Sequence, residues 1–375
     1  MFVLYDSTVV MMMMMKSIIL GTFLLFVLCG AVSGLGSVVV KGYEYITYLH
    51  YNWLEAQQYC RTNYGNGDLA TIYTQSDVDD LNLEDYRAWT GLHKPSDKDE
   101  FSWVHGDSPY RNWAHDQPQV QEGSDYCAVV HYGCHCFYSE LCNRRAYFIC
   151  SKWHDDHTGD FIPQSKTWEE AVDYCDHMPG YHNMPFFTSS NDIDSAFRPQ
   201  DFQVWTGLYR HGGTWKWSKG FSEYRNWSPS HPQNNGDCVS ISSLGKQMSV
   251  QDCSSQCPFI CSHDNLVLVK ENKTWEEALE HCRALGNHDL ISVQPGSDLD
   301  FIMRRVMEAD TEKVWTGLRF LAGQWLWVNQ ADMSYSGLPD CPLEWQHCGA
   351  LSKDDGENIK IRECSERRNF LCYKI

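Results

Sequence analysis

Cysteine accounts for most of the chemistry available to this chain, which has 17 cysteines in 375 residues. Twelve of them fall into a pattern that occurs three times. Each copy closes on a pair eight residues apart: Cys142 and Cys150, Cys253 and Cys261, Cys364 and Cys372. Upstream lie Cys127, Cys238 and Cys348, each opening a short apolar stretch, and further back Cys60, Cys175 and Cys282. Four cysteines per copy allow three connectivities. The helix cysteine and the last-strand cysteine make the natural core pair, leaving the middle two to staple loops. Beyond residue 34 this leaves Cys134, Cys136, Cys257 and Cys341. Gly133-Cys134-His135-Cys136, with His131 beside it, has zinc-ligand types, but a second pair at zinc spacing is missing. Cys134 and Cys136 are too close in sequence for an easy mutual bridge. Cys257 and Cys341 belong to adjacent copies. They are expected to link those copies or to reach another chain, giving a disulfide-linked homo-oligomer. There is no His-Glu-x-x-His, nucleophile elbow or phosphate loop, so no enzyme is expected.

The elements that must hold these cysteines repeat with them. Trp-Thr-Gly-Leu stands at Trp89–Leu92, Trp205–Leu208 and Trp315–Leu318, at intervals that suit three tandem domains. A further tryptophan follows each, at Trp103, Trp217 and Trp327. Every copy begins with a helix signature: Asn52 with Glu55, Thr167 with Glu170, Thr274 with Glu277, each spaced as a capping box. Within these helices Trp, Ala and Cys recur at i, i+3 and i+7, one buried face. A second helix is expected from Ser76 with Asp79 and from Ser297 with Asp300, the latter continued by Phe301, Ile302, Val306 and Met307. Pro199 should shorten its counterpart in the second copy. The rest of each copy is rich in Gly, Pro, Asn and Trp and reads as long loops with short strands. The sequence places brief linkers at 151–160 and 262–265, so neighbouring domains have limited freedom.

A formal net charge of −19 argues against nucleic acid and anionic membranes as partners. Lys16, the apolar run from Ser17 to Cys29 and the small residues Ala31-Val32-Ser33 read as a secretory signal peptide cleaved after Ser33 or Gly34. One of Met11 to Met15 is the expected start, with the first ten residues an extension. Later segments lack an apolar run long enough to anchor the chain, so a secreted, extracellular protein is expected. The oxidising compartment suits the cysteine content. Asn226-Trp227-Ser228 and Asn272-Lys273-Thr274 are glycosylation sequons. His154 and His157, in the acidic linker, read as solvated.

With the Trp-bearing first helix, the Trp-x-Gly-Leu strand and four cysteines in this order, the chain resembles the C-type lectin-like domain family. The third copy is particularly similar to fish mannose-receptor-like modules. The resemblance implies an α+β fold of three tandem domains at 39–151, 159–262 and 266–375. Each has two helices, short antiparallel strands and a long ligand-carrying loop region. It also implies first-to-fourth and second-to-third bridges: Cys60–Cys150, Cys127–Cys142, Cys175–Cys261, Cys238–Cys253, Cys282–Cys372 and Cys348–Cys364.

In that family a calcium ion chelates two sugar hydroxyls, and such a hard cation needs six to eight oxygens, several charged. The first copy keeps Gln117-Pro118-Gln119 and has Asp125 two before Cys127, but Tyr138 and Ser139 replace the Asn-Asp pair. Glu140, one residue on, would serve only after a register slip that turns it to the other face. The second copy has His231-Pro232-Gln233 with Ser249 and Val250, and the third Leu338-Pro339-Asp340 with Lys360 and Ile361. The resemblance therefore points to recognition of a glycan or extracellular protein without calcium, through candidate residues Gln117, Gln119, Asp125 and Trp113. The alternative is a calcium-dependent lectin acting through the first domain. Trp113 and Trp227 could stack on sugar faces, although core packing is the commoner role of such residues.

Overall fold

The computed structural model describes residues 39–375 except 105–107, 153–154, 294–296 and 334–337. The leader and its cleavage point lie outside the described residues, as do His154 and the side chain of His157. The described residues form six helices and three seven-stranded sheets. They divide into two compact units, one spanning Lys41–Asp264 and the other Asn265–Ile375 with the described residues before Lys41.

The third copy shows how one module is built. Helix α5 (Trp275–Ala284) starts at Thr274, whose side chain accepts from the Glu277 amide while Glu277 returns the bond. Its Trp275, Ala278 and Cys282 are buried on one face, as the spacing predicts. The sheet runs 266–273, 368–374, 313–321, 348–352 and 355–362 in order, with the central pair parallel and the others antiparallel. Two indoles tie helix to sheet. Trp275 Nε1 donates to the Thr316 carbonyl at 2.8 Å, and Trp315 Nε1 to the Lys273 carbonyl at 3.1 Å. Gly317 is needed because a Cβ there would lie 2.9 Å from the Leu290 carbonyl oxygen. Cys282–Cys372 and Cys348–Cys364 are bridged within the module.

The first two copies use the same contacts but exchange halves. The strand Lys41–Tyr51 and helix α1 (Trp53–Asn63) pack on the sheet 257–264, 203–211, 238–242 and 248–251. Reciprocally, the strand Asp155–Lys166 and helix α3 (Trp168–His177) complete the sheet 136–141, 126–131, 87–94 and 146–152. The indole bonds cross with them. Trp53 Nε1 donates to the Thr206 carbonyl and Trp168 Nε1 to the Thr90 carbonyl, both at 2.8 Å. The bridges follow: Cys60 joins Cys261 and Cys150 joins Cys175, in place of the expected Cys60–Cys150 and Cys175–Cys261. The reason is that all three copies carry one interface, so either helix fits either sheet, which is the condition for exchanging an element at little cost. Cys127–Cys142 and Cys238–Cys253 stay within their own loops.

The remaining elements are helices α2 (Gln75–Asp79), α4 (Ser190–Ala196) and α6 (Ser297–Met307). Helix α2 is capped by Thr74 with Asp77, two residues before the expected Ser76. Helix α4 ends at Ala196, short of Pro199. The segments expected as linkers are largely strand instead, because residues 155–166 and 257–264 are edge and inner strands of the exchanged sheets. Cys134 and Cys136 are bridged, contrary to expectation. His135 adopts a φ of 51° and folds the intervening turn back, bringing the two Cα atoms to 5.1 Å. Cys257 is buried and Cys341 exposed, and both are free, so the expected bridge between them is absent; burial pushes the Cys257 thiol up to about 12.

Exchange merges the two modules into one core. Tyr86 sits at its centre, with ring centroids 4.7 Å from Phe161, 5.1 Å from Tyr132 and 5.8 Å from Phe202. His50 of the first strand is fully buried against Tyr147, ring centroids 4.3 Å apart, and bonds Ser165 Oγ of the exchanged partner strand at 2.9 Å. Burial lowers its pKa from 6.5 to about 3. An unfolded His50 takes up a proton below about pH 6.5 and the folded one does not. Stability is therefore unaffected by this residue above pH 6.5 and falls by about 1.4 kcal/mol per pH unit from there towards pH 3. His50→Gln should remove that slope. Urea midpoints measured between pH 7 and 4 that fell equally in both proteins would contradict it.

Candidate ligand-binding loops

The structure brings three of the positions singled out in the first copy together. Ser139 lies on the strand Cys136–Leu141, opposite Ala128. Its amide donates to Gln117 Oε1 at 3.0 Å, and its hydroxyl oxygen lies at the same distance from that atom. Its hydroxyl also meets the Gln119 backbone, donating to the carbonyl and facing the amide, both at 2.8 Å. The carboxamide and the serine thus satisfy each other. Trp113 lies half-buried beside this loop, its ring 4.8 Å from Phe101 and 5.8 Å from Phe137, and Trp227 likewise packs 5.3 Å from Trp215.

The second copy repeats the arrangement with different atoms. His231 Nδ1 accepts from the Val250 amide at 3.0 Å, the bond that Gln117 makes with the Ser139 amide. Accepting there fixes the imidazole as the tautomer with its proton on Nε2. Ser228 and Ser249 hydroxyls meet at 2.9 Å. Arg210 holds the shortened loop, donating to Asn234 Oδ1, the Gly236 carbonyl and Asp237 Oδ1.

Asp125 is directed elsewhere. Its Oδ1 accepts from the Ser96 amide at 2.6 Å, and the residue lines a cleft of about 700 Å³ with His93, Asn143, Trp168 and Glu169. His93 stacks on Trp168 at 4.7 Å, and burial lowers its pKa, so a neutral imidazole covers the indole. Glu140 points to the other face, where Arg87 pairs with it at 3.1 Å and burial raises its pKa in spite of that guanidinium. This cleft forms only because α3 is exchanged into the first copy's sheet, so no reading of the first copy alone could have found it.

A calcium ion requires converging charged oxygens. In the first copy the donors at the family's position are a neutral amide already accepting from the Ser139 backbone and a serine. In the second, an imidazole nitrogen faces the backbone. At the matching sequence positions the third has Leu338 and Lys360, with Asp340 as the one carboxylate. Among the described residues, no three His, Cys, Asp or Glu side chains converge as metal ligands. These donor sets do not fit the ion. Of the two sequons, Asn226 is half-buried and donates to the Lys246 carbonyl, whereas Asn272 is exposed with Oδ1 bonded by Asn369.

Comparison with known proteins agrees with the module seen three times. The family described as Lectin C-type domain matches residues 49–152, 164–263 and 271–374. The human secretory phospholipase A2 receptor is 25% identical over 257 residues, covering 56% of this chain but 17% of the receptor. Lymphocyte antigen 75 of Mesocricetus auratus is 24% identical over 378 residues, covering 80% of this chain and 21% of that protein. The alpha subunit of snaclec rhodocytin from Calloselasma rhodostoma is 32% identical over 112 residues, covering 27% of this chain and 81% of the subunit. Human lithostathine, a solved structure, is 23% identical with a TM-score of 0.27, covering 29% of this chain and 83% of its own. The chain thus spans about a fifth of the length of the first two of these relatives, and it belongs to the C-type lectin domain family.

Proposed function

We propose that this protein is a non-enzymatic, extracellular recognition protein that binds carbohydrate or protein ligands through its loop surfaces without calcium at the family's sugar position. The observation that carries this reading is the Gln117–Ser139 bond and its His231–Val250 counterpart. Both close the loop with a hydrogen bond where an ion would need charged oxygens. The cleft beside Trp168 offers a ligand an exposed carboxylate at Asp125 and the stacked His93–Trp168 pair. Protein ligands belong in the proposal because the human relative is by name a receptor for a secretory phospholipase. Secretion follows from the leader-like segment, N-glycans from Asn226 and Asn272, and exposed Cys341 is the residue through which a disulfide-linked oligomer would form. Among the described residues no helix is long and apolar enough to cross a membrane.

A glycan and protein array probed with and without chelator tests the reading. Binding should survive chelation, and the melting temperature should be the same in millimolar calcium and in chelator. A stabilisation of several degrees by calcium, lost in Asp125→Ala, would restore the calcium-dependent alternative.

A further inference from the structure

The hairpin tip that joins the strands Tyr126–His131 and Cys136–Leu141 carries chemistry that ligand recognition does not use. Cys134 and Cys136 are bridged across a single residue, and Cys134 is exposed. As a staple the bridge contributes little, because the loop-closure benefit of a disulfide grows with loop length and this loop is the shortest of the seven. Its surroundings are more informative. His131 Nδ1 lies 3.6 Å from Cys134 Sγ. The other ring nitrogen, Nε2, lies 2.7 Å from Asp85 Oδ2, while Asp85 Oδ1 accepts from the Gly133 amide at 3.2 Å. On the far side of the turn, His135 Nδ1 meets Asp194 Oδ1 at 2.6 Å. A carboxylate thus orients an imidazole at one sulfur of an accessible disulfide, the arrangement that activates thiols elsewhere.

We infer that Cys134–Cys136 is a thiol–disulfide exchange site for external thiols, with His131, positioned by Asp85, serving Cys134. An external thiolate attacks Cys136 Sγ. The S–S bond breaks and its electron pair goes to Cys134 Sγ, which takes the proton from His131 Nδ1. A second external thiol attacks the outer sulfur of the mixed disulfide and leaves as the external disulfide, with Cys136 released as a thiolate and then protonated. Two thiols are oxidised and one protein disulfide is reduced. In reverse, His131 takes the Cys134 proton and the thiolate attacks an external disulfide. Accessible bridges with a good leaving thiolate exchange fastest.

The test uses the whole protein and reduced glutathione. Native-state alkylation followed by peptide mapping should show Cys134 and Cys136 labelled well before Cys127, Cys142 or any other bridged cysteine. His131→Gln should slow the reaction at least about tenfold. The groups facing His131 are Asp85, the Tyr138 ring and, over that ring, Arg87 with Glu140. Normalised to glutathione thiolate, the native rate should rise as the pH is lowered and the His131→Gln rate should stay flat. Asp85→Asn, which keeps an acceptor for Gly133, should lie between them. Labelling of Cys134 no faster than Cys127, or identical pH profiles for native protein and His131→Gln, would overturn the assignment.

Discussion

Peptide mapping without reduction should join Cys60 to Cys261 and Cys150 to Cys175, and replacing Cys60 and Cys261 together by serine should destabilise the 41–264 unit by about 5 kcal/mol. The magnitude follows from the loop that this bridge closes, 201 residues in sequence separation, since chain-entropy stabilisation grows slowly with loop size. Both sulfurs are fully buried in a cluster with Trp53, Ala56, Trp205 and Phe259, so the paired serines also leave polar atoms among apolar neighbours. A melting temperature lower by well over ten degrees is expected for a loss of that size. A map that joined Cys60 to Cys150 would show instead that each copy folds on its own half and that the exchange does not exist.

Tyr86→Ala should have the second largest effect, about 3 to 5 kcal/mol, the range for deleting a large buried ring. Tyr86 is 1% exposed, and its hydroxyl donates to the Arg198 carbonyl at 2.9 Å. Its ring touches Tyr132 from the first copy and Phe161, Phe197 and Phe202 from the second. Because those rings serve both modules, the variant should lower one shared unfolding transition. Two transitions, with only one shifted by Tyr86→Ala, would show that the modules unfold separately.

Much of the module is legible in the sequence. The capping boxes at Asn52, Thr167 and Thr274 form as the spacing predicts, because each side-chain oxygen reaches the amide three residues on. The three Trp-Thr-Gly-Leu strands are central and their tryptophans fully buried. What repetition conceals is which copy each half belongs to. Trp168 meets the Thr90 carbonyl as Trp275 meets that of Thr316, so identical local signals fit both an exchanged and an unexchanged pair. Helix α2 starts ahead of the expected position because Ser76 with Asp79 and Thr74 with Asp77 share one spacing, and only the Thr74 pair makes the reciprocal bonds. In the loops, Gln117 and Ser139 were both identified as replacements for charged ligands. Their bond to each other is not legible there, since it depends on how a strand 22 residues further along is placed. Asp85, facing His131 from 46 residues away, gave no sequence signal at all.

The exchange also decides how the 41–264 unit would respond to tension. Lys41 pairs with Asp264 across adjacent antiparallel strands, so the two ends of the unit lie side by side. Force applied at those ends loads the strand pair as a zipper, one rung at a time, the geometry that yields to small loads. Peeling can run only as far as Cys60–Cys261, which ties the first helix to the last strand. The slack released before that covalent stop is some twenty residues, on the order of 70 Å. A single-molecule trace should show a short, soft extension that locks under non-reducing conditions, and full unravelling only once the bridge is cut.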